Sequence, residues 1–251
     1  QRTGDQFWAA GDQLTRGFII GATAGRTTLT GEGLQHADGH SPLLAGTNTA
    51  VIHYDPAFGY EIRHIVKDGL QRMYGADDGR DPNVMYYLTV YNEPISQPAE
   101  PEDVDVAGIL GGIHRIASAP DGPGPEAQIL ASGVAVPWAL EAQELLLHHY
   151  GVRAAVWSVT SWSELRREAL DADRQAFLFP EQGARVPFLT QQLQGAAGPF
   201  VATSDYDHLV ADQIRAWIPG YYATLGADGF GFSDTRAGAR RYFTIDGPST
   251  A

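Results

Sequence analysis

Short apolar runs of strand length alternate along this chain with longer amphipathic stretches, and this alternation limits the possible folds more than any other feature. Strands are predicted at residues 18–22, 49–54, 84–91, 128–136, 152–159, 200–203 and 221–225. Helices are predicted at residues 5–16, 41–45, 60–73, 137–150, 161–170, 205–217 and 235–242. Because strands separated by helices pair in parallel through crossovers, the sequence predicts an α/β fold with parallel sheets flanked by helices.

A proline-rich and acidic stretch interrupts the alternation after residue 92. Residues 93–105 contain three prolines and five acidic side chains and show no apolar periodicity. Such a composition is typical of a stiff, polar connection between domains. We therefore predict a first α/β domain at residues 1–92, a linker at residues 93–103 and a second α/β domain at residues 104–251.

Charge and composition argue against several classes of protein. The net charge of −13 disfavours a nucleic-acid partner, because neutralising phosphates requires an excess of Lys and Arg. No apolar run approaches the roughly 18 residues that a membrane-spanning helix needs. The absence of cysteine excludes disulfides and thiolate metal sites and fits a reducing cytoplasm. We predict a cytoplasmic protein that binds neither nucleic acid nor membrane.

Glycines, imidazoles and carboxylates are concentrated at residues 31–41, in the connection that follows the predicted strand at residues 18–22. This composition suits a loop that presents polar groups to a ligand. His36 and His40 have the spacing of zinc ligands on a helix, but Gly33 and Gly39 disfavour a helix here, so we predict no metal site. Two hypotheses stay open for the imidazoles: they bond the backbone of their own loop, or at least one faces a substrate as a proton donor or acceptor.

Other catalytic signatures are missing from the sequence. There is no Gly-x-Ser-x-Gly, no Walker-type loop and no Gly-x-Gly-x-x-Gly at a strand end. Asp234 is predicted to cap the helix at residues 235–242. The remaining histidines are predicted to be structural or surface residues: His53, His64, His114, His148, His149 and His208.

Several stretches resemble, in the same order, one family of thiamine-diphosphate enzymes. They are residues 8–13, 16–18, 25–29, 31–41, 54–57, 68–75, 157–161 and 225–231. The chain is similar over almost its whole length to the homodimeric, bacterial-type pyruvate dehydrogenase decarboxylase component of the transketolase-like superfamily. The resemblance implies two transketolase-like α/β domains: the end of a pyrimidine-binding domain at residues 1–92, and a C-terminal domain at residues 104–251 that is incomplete at its end. It also implies that the chain is a C-terminal fragment.

The resemblance assigns roles to two residues. His36 matches the histidine that hydrogen-bonds the substrate-derived part of the thiamine adduct, which makes it the expected catalytic residue. Arg2 matches an arginine near the active centre and is the expected cofactor-binding residue. The family's Gly-Asp-Gly segment ahead of an Asn is missing here, and its catalytic glutamate lies ahead of residue 1. Thiamine diphosphate and Mg are therefore expected in the full-length parent, whereas binding by this fragment is not expected.

The resemblance also implies a function for that parent. It is an oxidoreductase that decarboxylates pyruvate and reductively acetylates lipoyl groups in the pyruvate dehydrogenase complex, downstream of glycolysis. The expected partners are a second copy of the chain, pyruvate and the lipoyl domain of the dihydrolipoyl acyltransferase. Two alternatives stay open: a non-catalytic module for dimer assembly, and another transketolase-like thiamine enzyme.

Overall fold

A computed structural model describes residues 3–29 and 33–251 of the chain. The first part contains a sheet of three parallel strands, β1 (Gly17–Gly21), β2 (Val51–Tyr54) and β3 (Met85–Thr89). Their order is β1-β3-β2, so the last strand in sequence lies in the middle. The register aligns Tyr87 with Ile19 on one side and with His53 on the other. The carboxyl ends of all three strands therefore lie at one edge of the sheet.

Three helices accompany this sheet: α1 (Gly4–Asp12), α2 (Ser41–Thr47) and α3 (Gly59–Tyr74). Ile65 and Met73 lie eight residues apart on α3, and both are buried in a cluster with Tyr86 of β3. Leu70 of the same helix is half exposed. Ile65 and Met73, two positions of the apolar spacing that predicts this helix, therefore lie on the face that packs on the sheet.

The second part contains a five-stranded sheet with the order β4-β6-β5-β7-β8. Its strands are β4 (His114–Ala117), β5 (Glu126–Ala131), β6 (Arg153–Ser158), β7 (Phe200–Thr203) and β8 (Tyr222–Leu225). Four strands are parallel, and β4 is antiparallel to β6. The helices are α4 (Val106–Gly111), α5 (Val136–Leu145), α6 (Trp162–Leu178), α7 (Phe188–Gln192), α8 (His208–Asp212), α9 (Arg236–Phe243) and α10 (Gly247–Thr250).

Both faces of the second sheet are covered. Successive side chains of a strand point to opposite faces, and on β5 Ile129 packs in one core cluster while Leu130 packs in another. The Leu130 cluster includes Trp162 of α6, and the Ile129 cluster includes Ala139 of α5. The predicted α/β class, with parallel sheets flanked by helices, is confirmed.

Several short elements differ from the sequence prediction. Residues 205–217 were expected to form one helix, which is wrong: the Asp207 side chain caps α8, which begins only at His208, and a 3-10 turn follows at Arg215–Trp217. Asp234 is not the cap of α9, because the hydroxyl of Thr235 accepts the bond from the Gly238 N–H at 3.1 Å. The elements α4, β4, α7 and α10 were not predicted, since segments of four to six residues show no clear periodicity.

Buried polar contacts join the two parts of the chain. The Glu61 carboxylate is fully buried and lies 2.7 Å from both the His114 Nε2 and the Ser158 hydroxyl of the second part. The Asp55 N–H donates to the Thr160 carbonyl at 2.7 Å.

Residues 93–103 contain neither helix nor strand, and the domain boundaries there stay a prediction. In the described part of the chain, no helix is both long and apolar enough to cross a membrane.

Candidate functional site

His36 lies in the long connection between β1 and α2, at the end of a single 3-10 turn, Leu34–His36. Its side chain is exposed and is not packed in an apolar core. Leu34 and Ala37, two and one positions from His36 in the chain, line a cavity of about 10 Å³ together with Arg26, Phe232 and other residues. The imidazole therefore lies at the surface, where loops of the two parts of the chain meet.

Asp38 organises the backbone that follows His36. Its Oδ1 accepts bonds from the N–H groups of His40, at 3.1 Å, and Ser41, at 2.9 Å, and its Oδ2 accepts from the Ser41 hydroxyl. The Ser41 oxygen in turn accepts from the Tyr87 hydroxyl at 3.0 Å. His40 precedes the first residue of α2, and its carbonyl accepts bonds from the start of that helix. These contacts hold the backbone from residue 38 to the start of α2.

Arg26 lies beneath the His36 turn. Its residue is only 8% exposed, and its Nη1 donates to the Ala37 carbonyl at 2.5 Å. Its Nε donates to the Ala227 carbonyl at 3.3 Å, after the last strand of the second sheet. Burial lowers the pKa of Arg26, and the surrounding Asp side chains oppose that change. One buried guanidinium therefore connects the His36 loop to the second sheet.

Asp205 joins the same two regions through a carboxylate. It follows β7, is fully buried, and accepts bonds from the Thr27 N–H at 3.1 Å and the Thr27 hydroxyl at 2.7 Å. Burial raises the pKa of Asp205 to about 7, although the bonds from Thr27 oppose this shift. A carboxyl group that titrates near neutral pH can hold or release a proton under cellular conditions.

An ion pair lies next to the loop at residues 26–28. Arg240 of α9 lies in an ion pair with Glu93 and also donates from Nε to the Thr27 hydroxyl at 3.2 Å. Its guanidinium stacks 4.4 Å from the centre of the Trp138 ring. Arg236, one turn earlier, donates to the Thr28 carbonyl at 2.9 Å. The loop at residues 26–28 is therefore held by side chains of α9 as well as by Asp205.

Asp55 is the centre of a second buried polar group, at the end of β2. Its Oδ1 accepts bonds from Thr89 at 2.6 Å and Tyr91 at 2.5 Å, and the Tyr206 hydroxyl lies 3.4 Å away. Its Oδ2 is buried and has no partner among the described residues. Burial raises the pKa of Asp55 to about 6, against the effect of these hydrogen bonds. Asp55 and Asp205 are thus two buried carboxyl groups with raised pKa values.

His53 lies beside this group. Its Nε2 is 3.3 Å from the Thr89 hydroxyl, and its ring centre is 5.1 Å from that of Tyr87. Because Thr89 donates its one proton to Asp55, the Thr89 oxygen acts as acceptor and the imidazole carries its proton on Nε2. Burial lowers the pKa of His53 to about 3, so the ring is neutral at physiological pH. The prediction of a structural histidine fits this environment.

The remaining sequence predictions concern cofactor and metal. Arg2 lies outside the described residues. Among residues 3–29 and 33–251 no group of three or more His, Cys, Asp or Glu side chains could hold a metal ion. A magnesium diphosphate site depends on carboxylate and other oxygen ligands grouped around the metal.

Three residues of this region were not identified as site residues from the sequence: Arg26, Asp55 and Asp205. Each follows a strand, which is where polar side chains meet a ligand in open α/β folds. The sequence shows such a polar residue after a strand in two places. Asp55 belongs to an Asp-Pro pair directly after β2, and Asp205 lies two residues after β7. Residues 205 and 27 are 178 positions apart, so their contact has no local signature in the sequence.

Two family models match the chain. Residues 1–98 match the model described as pyruvate dehydrogenase E1 component middle domain. Residues 112–246 match the model described as transketolase-like TK C-terminal domain.

Curated proteins and solved structures agree with these matches. The chain is 59% identical over 249 residues to the pyruvate dehydrogenase E1 component of Mycolicibacterium smegmatis, and 46% identical over 247 residues to that of Escherichia coli K12. These alignments cover 99% and 98% of the chain but only 26% and 27% of the relatives, so the chain spans about a quarter of their length. The fold is similar to transketolase from Leishmania mexicana, with a TM-score of 0.67, 16% identity and coverage of 96% of this chain and 30% of that one.

Proposed function

This chain belongs to the pyruvate dehydrogenase E1 family of transketolase-like proteins, and we propose that it forms part of an enzyme that decarboxylates pyruvate and transfers the acetyl group to a lipoyl group. The identity of 43–59% to proteins named pyruvate dehydrogenase E1 component, over nearly the whole chain, supports this proposal. Because the chain corresponds to about a quarter of those relatives, the complete activity belongs to the whole protein.

His36 is the proposed catalytic residue of this part. The observation that carries the proposal is the position of its imidazole: exposed, on a short turn whose flanking carbonyl is fixed by a buried guanidinium. An imidazole at a defined place on the surface can donate a hydrogen bond to a carboxylate or hydroxyl oxygen of a bound substrate. His40, which directly precedes α2 and is half-buried, is assigned a supporting role.

The cofactors and partners of the whole enzyme complete the proposal. Thiamine diphosphate, with Mg, would supply the electron sink for decarboxylation, and its diphosphate and metal ligands would come from residues outside this chain, with Arg2 as a contribution from this one. The partners are a second copy of the protein and the lipoyl domain of the dihydrolipoyl acyltransferase. The enzyme is placed in the cytoplasm, where it uses the pyruvate that glycolysis supplies.

Paired substitutions in the full-length enzyme test the role of His36. His36→Ala is expected to lower pyruvate turnover by about 10- to 1000-fold, the range for loss of one positioned hydrogen-bond donor. His40→Ala, as the matched control from the same loop, is expected to have a smaller effect. Thiamine-diphosphate affinity, measured separately by calorimetry, should change little in both variants.

The opposite ranking of the two variants would assign the role to His40. Normal turnover in both variants would make the loop structural and would remove the proposed catalytic residue from this chain.

A further inference from the structure

We propose that Arg26 is a positioning residue for His36, so that its buried guanidinium, and not the loop alone, determines where the imidazole points. This inference rests on the proposed role of His36. It assigns to Arg26 a function in catalysis that acts through another side chain, without contact between Arg26 and the substrate.

The first argument is the geometry of the hydrogen bonds. Arg26 donates to the carbonyl of Ala37, the residue that directly follows His36, and to the carbonyl of Ala227 in the second part of the chain. The Ala227 N–H donates to the Tyr206 carbonyl at 2.7 Å, so the residue that receives this bond is itself held by the segment after β7. The His36 turn is therefore tied to a rigid sheet and not only to its own loop.

The second argument is the charge of Arg26. Its guanidinium lies in the field of four carboxylates, Asp38, Asp205, Asp207 and Asp228. Within the described residues none of these is close enough to form an ion pair with it. Burial lowers the pKa of Arg26 and these carboxylates oppose that shift, while its N–H groups donate to backbone carbonyls. Hydrogen bonds from a charged donor are shorter and stronger than neutral ones.

The third argument is the packing of the loop on the guanidinium. A Cβ on Gly39 would lie 2.1 Å from the Arg26 Nε, so only glycine allows the backbone to approach this closely. The Gly39 carbonyl accepts a bond from the Asp207 N–H at 2.8 Å. On the other side, a Cβ on Gly231 would lie 2.4 Å from the Cβ of Ala37. The backbone after His36 is therefore enclosed on both sides.

Arg26 could instead serve only to hold the two parts of the chain together through Ala227. Substitutions would then lower the overall stability but would not act through His36. The two roles are separated by measurements at the loop and by the coupling between Arg26 and His36.

The first experiment uses amide hydrogen exchange on the whole 251-residue chain. In Arg26→Gln, the amides of His36, His40 and Ser41 are expected to exchange about 10- to 100-fold faster, in keeping with the loss of a charged hydrogen-bond donor. In Arg26→Lys, the same amides should exchange only about threefold faster, because an ammonium group can still donate to one carbonyl. Amides of β7 should be unaffected.

Arg215→Gln is the matched control, because Arg215 also donates to a backbone carbonyl, that of Tyr222, at the amino end of β8. It should leave exchange in the His36 loop unchanged. Unchanged loop exchange in Arg26→Gln, or an equal rise throughout the chain, would overturn the positioning role.

The second experiment is a double-mutant cycle in the full-length enzyme. Arg26→Gln is expected to lower kcat about tenfold when His36 is present and less than about twofold in the His36→Ala background, because coupled residues are not additive. Thiamine-diphosphate affinity should stay constant. An equal loss in both backgrounds would show that Arg26 does not act through His36. A normal kcat in His36→Ala would refute the proposed function of His36 itself, whereas the exchange data would still decide whether Arg26 fixes the loop.

Discussion

Replacing the buried acid Asp205 with Asn should abolish a specific pH dependence of the stability of this protein. Burial raises the pKa of Asp205 from 3.8 to about 7 in the folded chain. Between these values the folded chain holds a proton that the unfolded chain releases. The free energy of unfolding therefore falls as the pH rises through this window. Above about pH 7, Asp205 contributes no further change to the free energy of unfolding.

The magnitude follows from the size of the pKa difference. At about 1.4 kcal/mol for each pH unit, a pKa raised from 3.8 to about 7 corresponds to about 4 kcal/mol of stability lost between pH 4 and pH 8. Asn has no proton to release, and its amide can still accept from the Thr27 N–H and donate to the Thr27 hydroxyl oxygen. The difference in unfolding free energy between Asp205→Asn and the unsubstituted chain should shift by about 4 kcal/mol in favour of Asn over this range.

Urea unfolding followed by circular dichroism, at intervals between pH 4 and pH 8, measures this difference. The raised pKa of Asp55 contributes equally to both proteins and cancels. Asp121→Asn, at an exposed position, is the control and should show a constant difference from the unsubstituted chain. A constant difference for Asp205→Asn, or a shift that favours Asp at high pH, would refute the assignment of a raised pKa to Asp205.

Three further predictions concern the fold and the cofactor. Ser161→Ala should destabilise the chain by about 1–2 kcal/mol in urea unfolding, because Ser161 caps α6; no change would contradict this. Ile65→Ala should cost about 2–5 kcal/mol by the same assay, whereas Leu70→Ala, half exposed on the same helix, should cost less than about 1 kcal/mol; equal costs would contradict the packing of α3. Calorimetric titration of this chain with thiamine diphosphate should show no submicromolar binding. Such binding would mean that the chain holds a complete cofactor site.

The sequence alone was sufficient for the fold class and for most of the longer elements. The apolar run at residues 152–159 predicted β6, and the three- and four-residue spacing at residues 60–73 predicted α3, because both signals arise from local periodicity. The hydroxyl of Ser161 caps α6 by accepting a bond from the Glu164 N–H three residues on, whereas the Ser161 N–H donates to the Gly112 carbonyl. The cap of α9 was misassigned by one residue, because Asp234 and Thr235 are both good capping residues.

The sequence also pointed to His36 through its loop composition and family resemblance, but it could not show what surrounds the imidazole. Only the tertiary structure placed Arg26 against the Ala37 and Ala227 carbonyls, and Asp205 against Thr27. These contacts join residues up to 201 positions apart. The raised pKa of Asp205 comes from burial, which depends on how the two sheets pack and not on the neighbouring residues in the chain. Local periodicity therefore determined the elements, whereas long-range packing and desolvation decided which polar groups share the candidate site.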